Sequence, residues 1–409
     1  MKTSALHPSP FAALKHRDFR LLWMGQLISQ AGSRMQEVAL NWHIYILTGS
    51  PVALGLVSFS RFIPILVFSL VGGVFADTHD RRRILLVTQS VMMLLAGILG
   101  LLTTLGWIST TLIYIISASS AGAISFDAPA RQSLPPNLVP QGDLTNALSL
   151  NNMMRQIATV IGPMLAGFVI AWRGVAAVYW LNAVSFLGVL IALAKMRTPT
   201  QKTLGAATLN LSALIDGIRY VRYSKIVLGT MLLDFLCSFF SSASALLPIF
   251  AREILNVGPR GLGILYASEA AGAVVAGAGM SMGRDIRRKV HVFLWAIAIY
   301  GAATVVYGLS RWVLLSVLAL ALVGTADTIS TILRNTLRQL VTPDHLRGRM
   351  TAVSMIFARG GPQLGNLEAG IVAAMIGAPL SVVTGGLATL VTVALVAWFT
   401  PQLRNYREI

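Results

Sequence analysis

From end to end the chain alternates between long apolar stretches and short polar breaks, and its second half repeats its first. The segment Arg131-Gln-Ser-Leu134-Pro-Pro-Asn-Leu-Val-Pro140 returns as Arg334-Asn-Thr-Leu337-Arg-Gln-Leu-Val-Thr-Pro343, an offset of 203 residues in a chain of 409. The apolar runs fall at about 21–46, 52–76, 84–106, 110–130, 144–171, 175–195, 226–250, 261–283, 291–309, 312–335, 349–376 and 379–400, and a hydrocarbon core takes roughly 20 residues to cross. Only segments that satisfy their own backbone can span such a core, which makes the runs helices. The expected fold is all-α and integral to the membrane, with 12 transmembrane helices in two six-helix pseudo-symmetric halves. The first bundle is expected over 1–197, a linker over 198–224 and the second bundle over 225–409. Parallel repeats of this kind place a substrate site between the halves.

Composition supports this and excludes soluble classes. Charged residues make up 11% of the chain and mean hydropathy is +0.72, whereas a soluble domain carries about 25% charged residues. The single cysteine, Cys237, rules out an internal disulfide and a cysteine-built metal site. The polar, basic start leads straight into the spans and reads as no cleavable signal peptide. No phosphate-binding loop, nucleophile–base set or metal cluster is visible, so neither an enzyme nor a cofactor is expected.

A net charge of +17 suggests nucleic acid until it is mapped. Most of the 32 basic residues fall in segments on one side of the spans, and the other side holds only Arg173, Arg252, Arg260 and Arg311. This asymmetry orients both termini to the cytoplasm. The cations then serve topology and inner-leaflet contact, and no nucleic-acid partner is expected. Within the linker, Leu211, Leu214, Ile215, Ile218 and Val221 recur at helical spacing beside Arg219 and Arg222, the pattern of a short amphipathic surface helix.

After the second span comes Gly72-Gly73-Val-Phe-Ala-Asp77-Thr-His-Asp-Arg81-Arg82-Arg83. It resembles the loop motif of the major facilitator superfamily at Gly73, Asp77, Arg81 and Arg82, while Thr78 and Asp80 depart from it. The resemblance implies the major facilitator fold, a gating latch at Asp77, and pairing of Arg81 with Asp127 at the inner end of span 4. Gly73 is expected to permit tight helix contact. Span 5 carries Gly162-Pro163-Met-Leu-Ala-Gly167, similar to the antiporter motif of proton-coupled exporters, and span 11 holds a partial echo at Gly361-Pro362-Gln-Leu-Gly365. Proline removes a backbone donor and bends a helix. From Phe19-Arg-Leu-Leu-Trp23 to Arg347-Gly-Arg-Met350 the chain resembles the bacterial branch of enterobactin-exporter and macrolide-efflux-type pumps. That implies a bacterial inner-membrane protein, monomeric, working by rocker-switch alternating access.

Ionisable residues inside spans are costly and mark function. Here they are Arg34, Glu37, Arg61, Asp127, Arg155, Asp234, Glu269, Asp327, Arg334, Arg359 and Glu368, and spans 3, 6, 9 and 12 hold none. In the superfamily those four are peripheral and the other eight surround the central path. Arg34 and Glu37 share a helix face. A carboxylate taken out of water can exchange protons near neutral pH, so Glu37, Asp234 and Glu269 are the ordered candidates for proton coupling. Asp127 and Asp327 lie nearer the inner ends, which suits a structural role. Arg34, Arg61, Arg155 and Arg359, with Glu368, point to a polar or anionic cargo such as a siderophore. Trp42, Phe62 and Phe239 are candidates for its apolar contacts. Direction stays open in the sequence: proton-coupled export of a siderophore or drug-like molecule leads, with inward uptake or lipid flipping by the same fold as alternatives and a transport-inactive sensor as a remote one.

Overall fold

Two single-residue breaks show the repeat in the backbone. The computed structural model describes residues 11–197, 218–242, 244–283, 286 and 288–399. Helix α5 (Gln141–Arg173) and helix α11 (Asp344–Ile376) have 33 residues each and lie 203 residues apart at both ends. Each begins after a proline, Pro140 or Pro343, and each stops at one glycine. Gly174 (φ 79°) and Gly377 (φ 88°) take a positive φ that side chains resist, so the chain reverses in one residue into α6 (Val175–Lys195) and α12 (Ala378–Phe399).

The other helices of the first half are α1 (Arg17–Thr48), α2 (Pro51–Thr78), α3 (Arg81–Thr104) and α4 (Thr110–Gln132). Those of the second are α7 (Lys225–Phe240), α8 (Gly258–Met282), α9 (Lys289–Leu309) and α10 (Val313–Val341). Short helical turns carry α7 on to Ile254. The side chains of Ser50, Asp80, Ser109 and Ser224 cap α2, α3, α4 and α7 by accepting a backbone N–H of the first turn. Of the linker expected at 198–224, residues 198–217 lie outside the described residues.

Among the described residues, ten of these twelve helices are long and apolar enough to cross a membrane. The two others, α1 and α11, have ample length at 32 and 33 residues. They carry Arg34, Glu37, Arg359 and Glu368, and polarity in a span is tolerated where it faces a solvated interior. Around the rim, Trp107 and Trp312 are exposed at one end of the bundle, and Trp295 and Trp398 at the other, as expected of rings at the two membrane–water interfaces.

The halves touch mainly at one end. One apolar core crosses between them and includes Tyr45, Leu54 and Ile170 of the first half and Phe250, Leu262 and Ala373 of the second. All sit at the end opposite the linker, here the far end. At the linker end each half keeps its own core, around Phe19, Leu85 and Leu134 in one and around Leu233, Phe293 and Leu337 or Val227, Met231 and Met350 in the other. Glycine pairs set the far-end crossings. A Cβ on Gly167 of α5 would lie 2.5 Å from the carbonyl of Pro259 on α8, and one on Gly370 of α11 would lie 2.6 Å from the carbonyl of Pro51 on α2. Small residues let membrane helices pack at backbone distance, which is the main attraction available to them in lipid. The same device therefore joins α5 to α8 and, by pseudo-symmetry, α11 to α2.

Candidate functional site

Between the halves lies a chamber of about 270 Å³. Its walls come from α1, α2, α5, α8, α10 and α11 and from Ser244 beyond α7, with no contribution from α3, α6, α9 or α12. Arg34, Glu37 and Arg61 line it on the first half; Glu269 and Asp327 line it on the second. Its far-end wall is tied by polar bonds that cross the halves. Asn41 donates to the Tyr266 hydroxyl at 2.9 Å, and that hydroxyl donates to the Ser244 carbonyl at 2.8 Å. Asn366 donates to Ser58 at 3.0 Å, and Tyr45 donates to Glu253. At the linker end, Phe62, Gln132 and Arg359 line a further cavity of about 240 Å³ between α2, α4 and α11, and Met153, Met355 and Arg155 are exposed.

Around the chambers, the charged clusters of the two halves have opposite excess. In the first half, Glu37 accepts from Arg34 at 3.0 Å and from Arg61 at 3.4 Å. A side chamber of about 250 Å³ continues from these residues to Asp127 and Arg131. There Arg131 pairs with Asp127 at 3.3 Å, while Gln89 and Thr88 of α3 donate to the same carboxylate at 2.6 and 3.1 Å. Three guanidinium groups thus face two carboxylates. In the second half Asp234 is buried between Arg334 at 2.8 Å and Arg338 at 3.3 Å. Arg338 also donates to the Thr230 carbonyl at 2.8 Å and reaches Ser354, so it binds α10 to α7 and α11. Glu269 and Asp327 have no ion pair or hydrogen bond among the described residues, leaving three carboxylates against two guanidiniums.

A family model described as transmembrane secretion effector matches residues 8–408. The chain belongs to this family of major facilitator superfamily transporters. The enterobactin exporter EntS of Escherichia coli O127:H6 is 26% identical to it over 400 residues, which cover 96% of this chain and 94% of that protein. The same exporter of Citrobacter koseri is 27% identical with the same coverage. Solved structures share the fold. A bacterial homologue of the iron transporter ferroportin in an inward-facing state has a TM-score of 0.68 at 16% identity, covering 95% of this chain and 99% of that one. A POT family transporter in complex with 5-aminolevulinic acid has a TM-score of 0.74 at 14% identity, covering 95% and 96%. This is a multi-pass membrane transporter and not an enzyme.

Within the transporter, Arg34, Glu37, Arg61 and Glu269 meet in one chamber. Arg155, bonded to Asn152, and Arg359 stand instead on the open linker side. Glu368 is half-buried and is not among the residues lining the central chamber. Trp42, expected at the cavity, is buried in the far-end core, because its face of α1 points into the crossing of the halves. Phe62 lines the linker-side cavity, and Phe239 packs between Phe235 and Phe240 against α11. Asp127 takes Arg131 rather than Arg81 as its arginine. One helical turn separates Asp127 from Arg131, whereas Arg81 caps the Ser133 carbonyl at 2.9 Å. Arg82 donates to the Ala194 carbonyl of α6, and the side chain of Asp77 lies outside the described set. Close packing in the motif falls on Gly72, whose Cβ would strike the Ser125 carbonyl. Gly73 faces open space. Pro163 and Gly162 lie within α5, with Gly162 against Arg34 and Ala31 of α1. His43 is buried and bonded to Tyr179 at 3.1 Å.

Proposed function

We propose that this transporter is a proton-coupled exporter of an anionic small molecule of the siderophore class, acting in a bacterial inner membrane with the linker end in the cytoplasm. The Arg34–Glu37–Arg61 cluster carries the reading. Two guanidiniums share one carboxylate in a chamber closed at the far end, so an anionic group of the cargo competes with Glu37 for them. Basic residues cluster at the linker end, which orients that end inward. The conformation is then inward-open, ready to take cargo from the cytoplasm. A chamber of about 270 Å³ holds the anionic head of a siderophore, and the body of a larger one extends into the linker-side cavity beside Phe62 and Arg359. Full-length relatives that export enterobactin support the direction.

Cells that make a catecholate or hydroxamate siderophore should release it faster with this chain than without it, and a protonophore should remove the difference. Equal release in all four conditions would reject the export reading. Cargo that takes Arg34 and Arg61 from Glu37 links cargo occupancy to the charge on Glu37. Glu37→Gln should therefore retain cargo binding and lose accumulation driven by a pH gradient in proteoliposomes. If uphill transport continues at the parent rate, Glu37 is an ion-pair partner only.

The latch is tested separately. Asp77→Asn keeps side-chain size and removes a charge, and it should increase the inward-open population and slow turnover with membrane insertion intact. Spin-label distances across the linker end measure this, and unchanged distances with unchanged transport would discard the latch.

A further inference from the structure

The second half holds a chamber that export does not require. It measures about 160 Å³ and lies among α7, α8, α9, α10 and α11. Glu269 and Asp327 reach it from the central chamber, and Tyr300, Tyr307, Ser238 and Ser244 also line it. Every polar side-chain atom on its wall is an oxygen. A set of carboxylates and hydroxyls without nitrogen or sulfur suits a hard cation.

Two further observations point to an occupant. Tyr307 is wholly buried, its ring stacked on Phe250 at 4.5 Å, and its hydroxyl has no partner among the described residues. Buried hydroxyls are almost always bonded, so an orphan facing a polar chamber lacks a ligand. Charge gives the same answer. Arg334 and Arg338 are both bound to Asp234, while Glu269 and Asp327 have no ion pair among the described residues. Ionisable groups within spans pair with one another or face a solvated cavity, and Glu269, partly exposed, and Asp327, exposed, both face this chamber, where a dissolved ion can reach them. Against the two guanidiniums, the three carboxylates leave one negative charge in excess, and one monovalent ion cancels it. A divalent ion finds too few charged ligands, since no group of three or more metal-binding side chains occurs among the described residues.

We propose that this chamber binds one small monovalent inorganic cation of sodium's class, with Glu269 and Asp327 as its charged ligands and the Tyr307 hydroxyl as a neutral one. Because Glu269, Asp327 and Ser244 also line the central chamber, the bound cation sits beside the cargo and offsets charge on the side opposite Arg34 and Arg61. A proton on either carboxylate is the competing way to balance the charge, and it leaves the protein indifferent to sodium.

The test uses the full-length protein in lipid nanodiscs with no cargo, at fixed pH and ionic strength, exchanging sodium chloride for N-methylglucamine chloride. Sodium should raise the thermal midpoint saturably, and calorimetry should find one ion per chain. Asp327→Asn should abolish the response. Tyr307→Phe keeps the buried ring and removes only the hydroxyl, and it should weaken sodium binding at least roughly tenfold, the lower end of what losing even an outer-shell partner of a bound metal costs. It serves where Asp327→Asn fails to fold. A parent protein that does not distinguish sodium from N-methylglucamine would overturn the proposal, as would variants that respond like the parent. No cargo is present, so a protein blind to sodium leaves the export reading untouched, and failed export leaves this site standing.

Discussion

Replacing Asp234 with asparagine should destabilise the second half more than any other single change to a charged residue. Its carboxylate is 2% exposed and receives Arg334 and Arg338 from α10. Asparagine fills the same volume but leaves two guanidiniums facing each other without an anion. Breaking a buried pair from one side costs about 3–5 kcal/mol, because the orphaned charge stays buried. Arg338 also holds Thr230 of α7 and Ser354 of α11, so the loss spreads over three helices. The thermal midpoint in detergent should fall sharply, and the folded yield with it. Asp80→Asn, at the partly exposed N-terminal cap of α3, should cost far less, since asparagine caps a helix about as well as aspartate. If Asp234→Asn melts with the parent protein, the three groups are not coupled as their geometry implies. Asp234 also differs from Glu37 in place: it is buried and is not among the residues lining the central chamber, so cargo there does not compete directly for its arginines.

The helices and the repeat were legible because both rest on hydrophobic runs of fixed length and on backbone punctuation by Pro140, Gly174, Pro343 and Gly377. The division of charge was legible as well. Arg34 and Glu37 meet as their spacing requires, one helical turn apart. What stayed hidden depends on contacts between distant segments. The bonds that cross the halves join residues 225 and 308 positions apart, Asn41 to Tyr266 and Asn366 to Ser58. Their members are neutral polar residues of no distinctive pattern. Boundary error hid Asp327. A span ending at 335 puts it near one end, but α10 runs from Val313 to Val341 and places it at the midpoint beside the central chamber. Trp42 and Gly73 show the same limit on a smaller scale: an aromatic ring or a glycine announces close packing or a cavity without saying which. The neighbouring helix decides, as α4 does at Gly72.

Crowding the far-end crossing should jam the transporter. Closure there requires α5 and α8 to meet through Gly167 and Gly263, where a Cβ on Gly167 would lie 2.5 Å from a backbone carbonyl. A carbonyl fixed in a helix cannot swing aside as a long side chain can. Gly167→Val must therefore push the helices apart in the far-closed state and leave the far-open state unburdened. Overpacking costs about 1–3 kcal/mol, which shifts the balance between the two states roughly 5- to 150-fold. Transport should drop by a similar factor while the protein still inserts and folds. Ser244→Cys provides the readout. Ser244 lines the central chamber, and the only native cysteine, Cys237, is buried, so background labelling is low. An impermeant thiol reagent applied from the far side should label Ser244→Cys slowly in the parent and quickly with Gly167→Val. Gly97→Val on peripheral α3, where an added Cβ meets nothing within 4 Å, controls for valine in a span. Gly370→Val at the pseudo-symmetric crossing with Gly55 should reproduce the effect, since the halves close through both. Parent-like labelling and transport in both crossing variants would mean that the far end closes without these helices meeting, and the glycine pairs would then serve assembly alone.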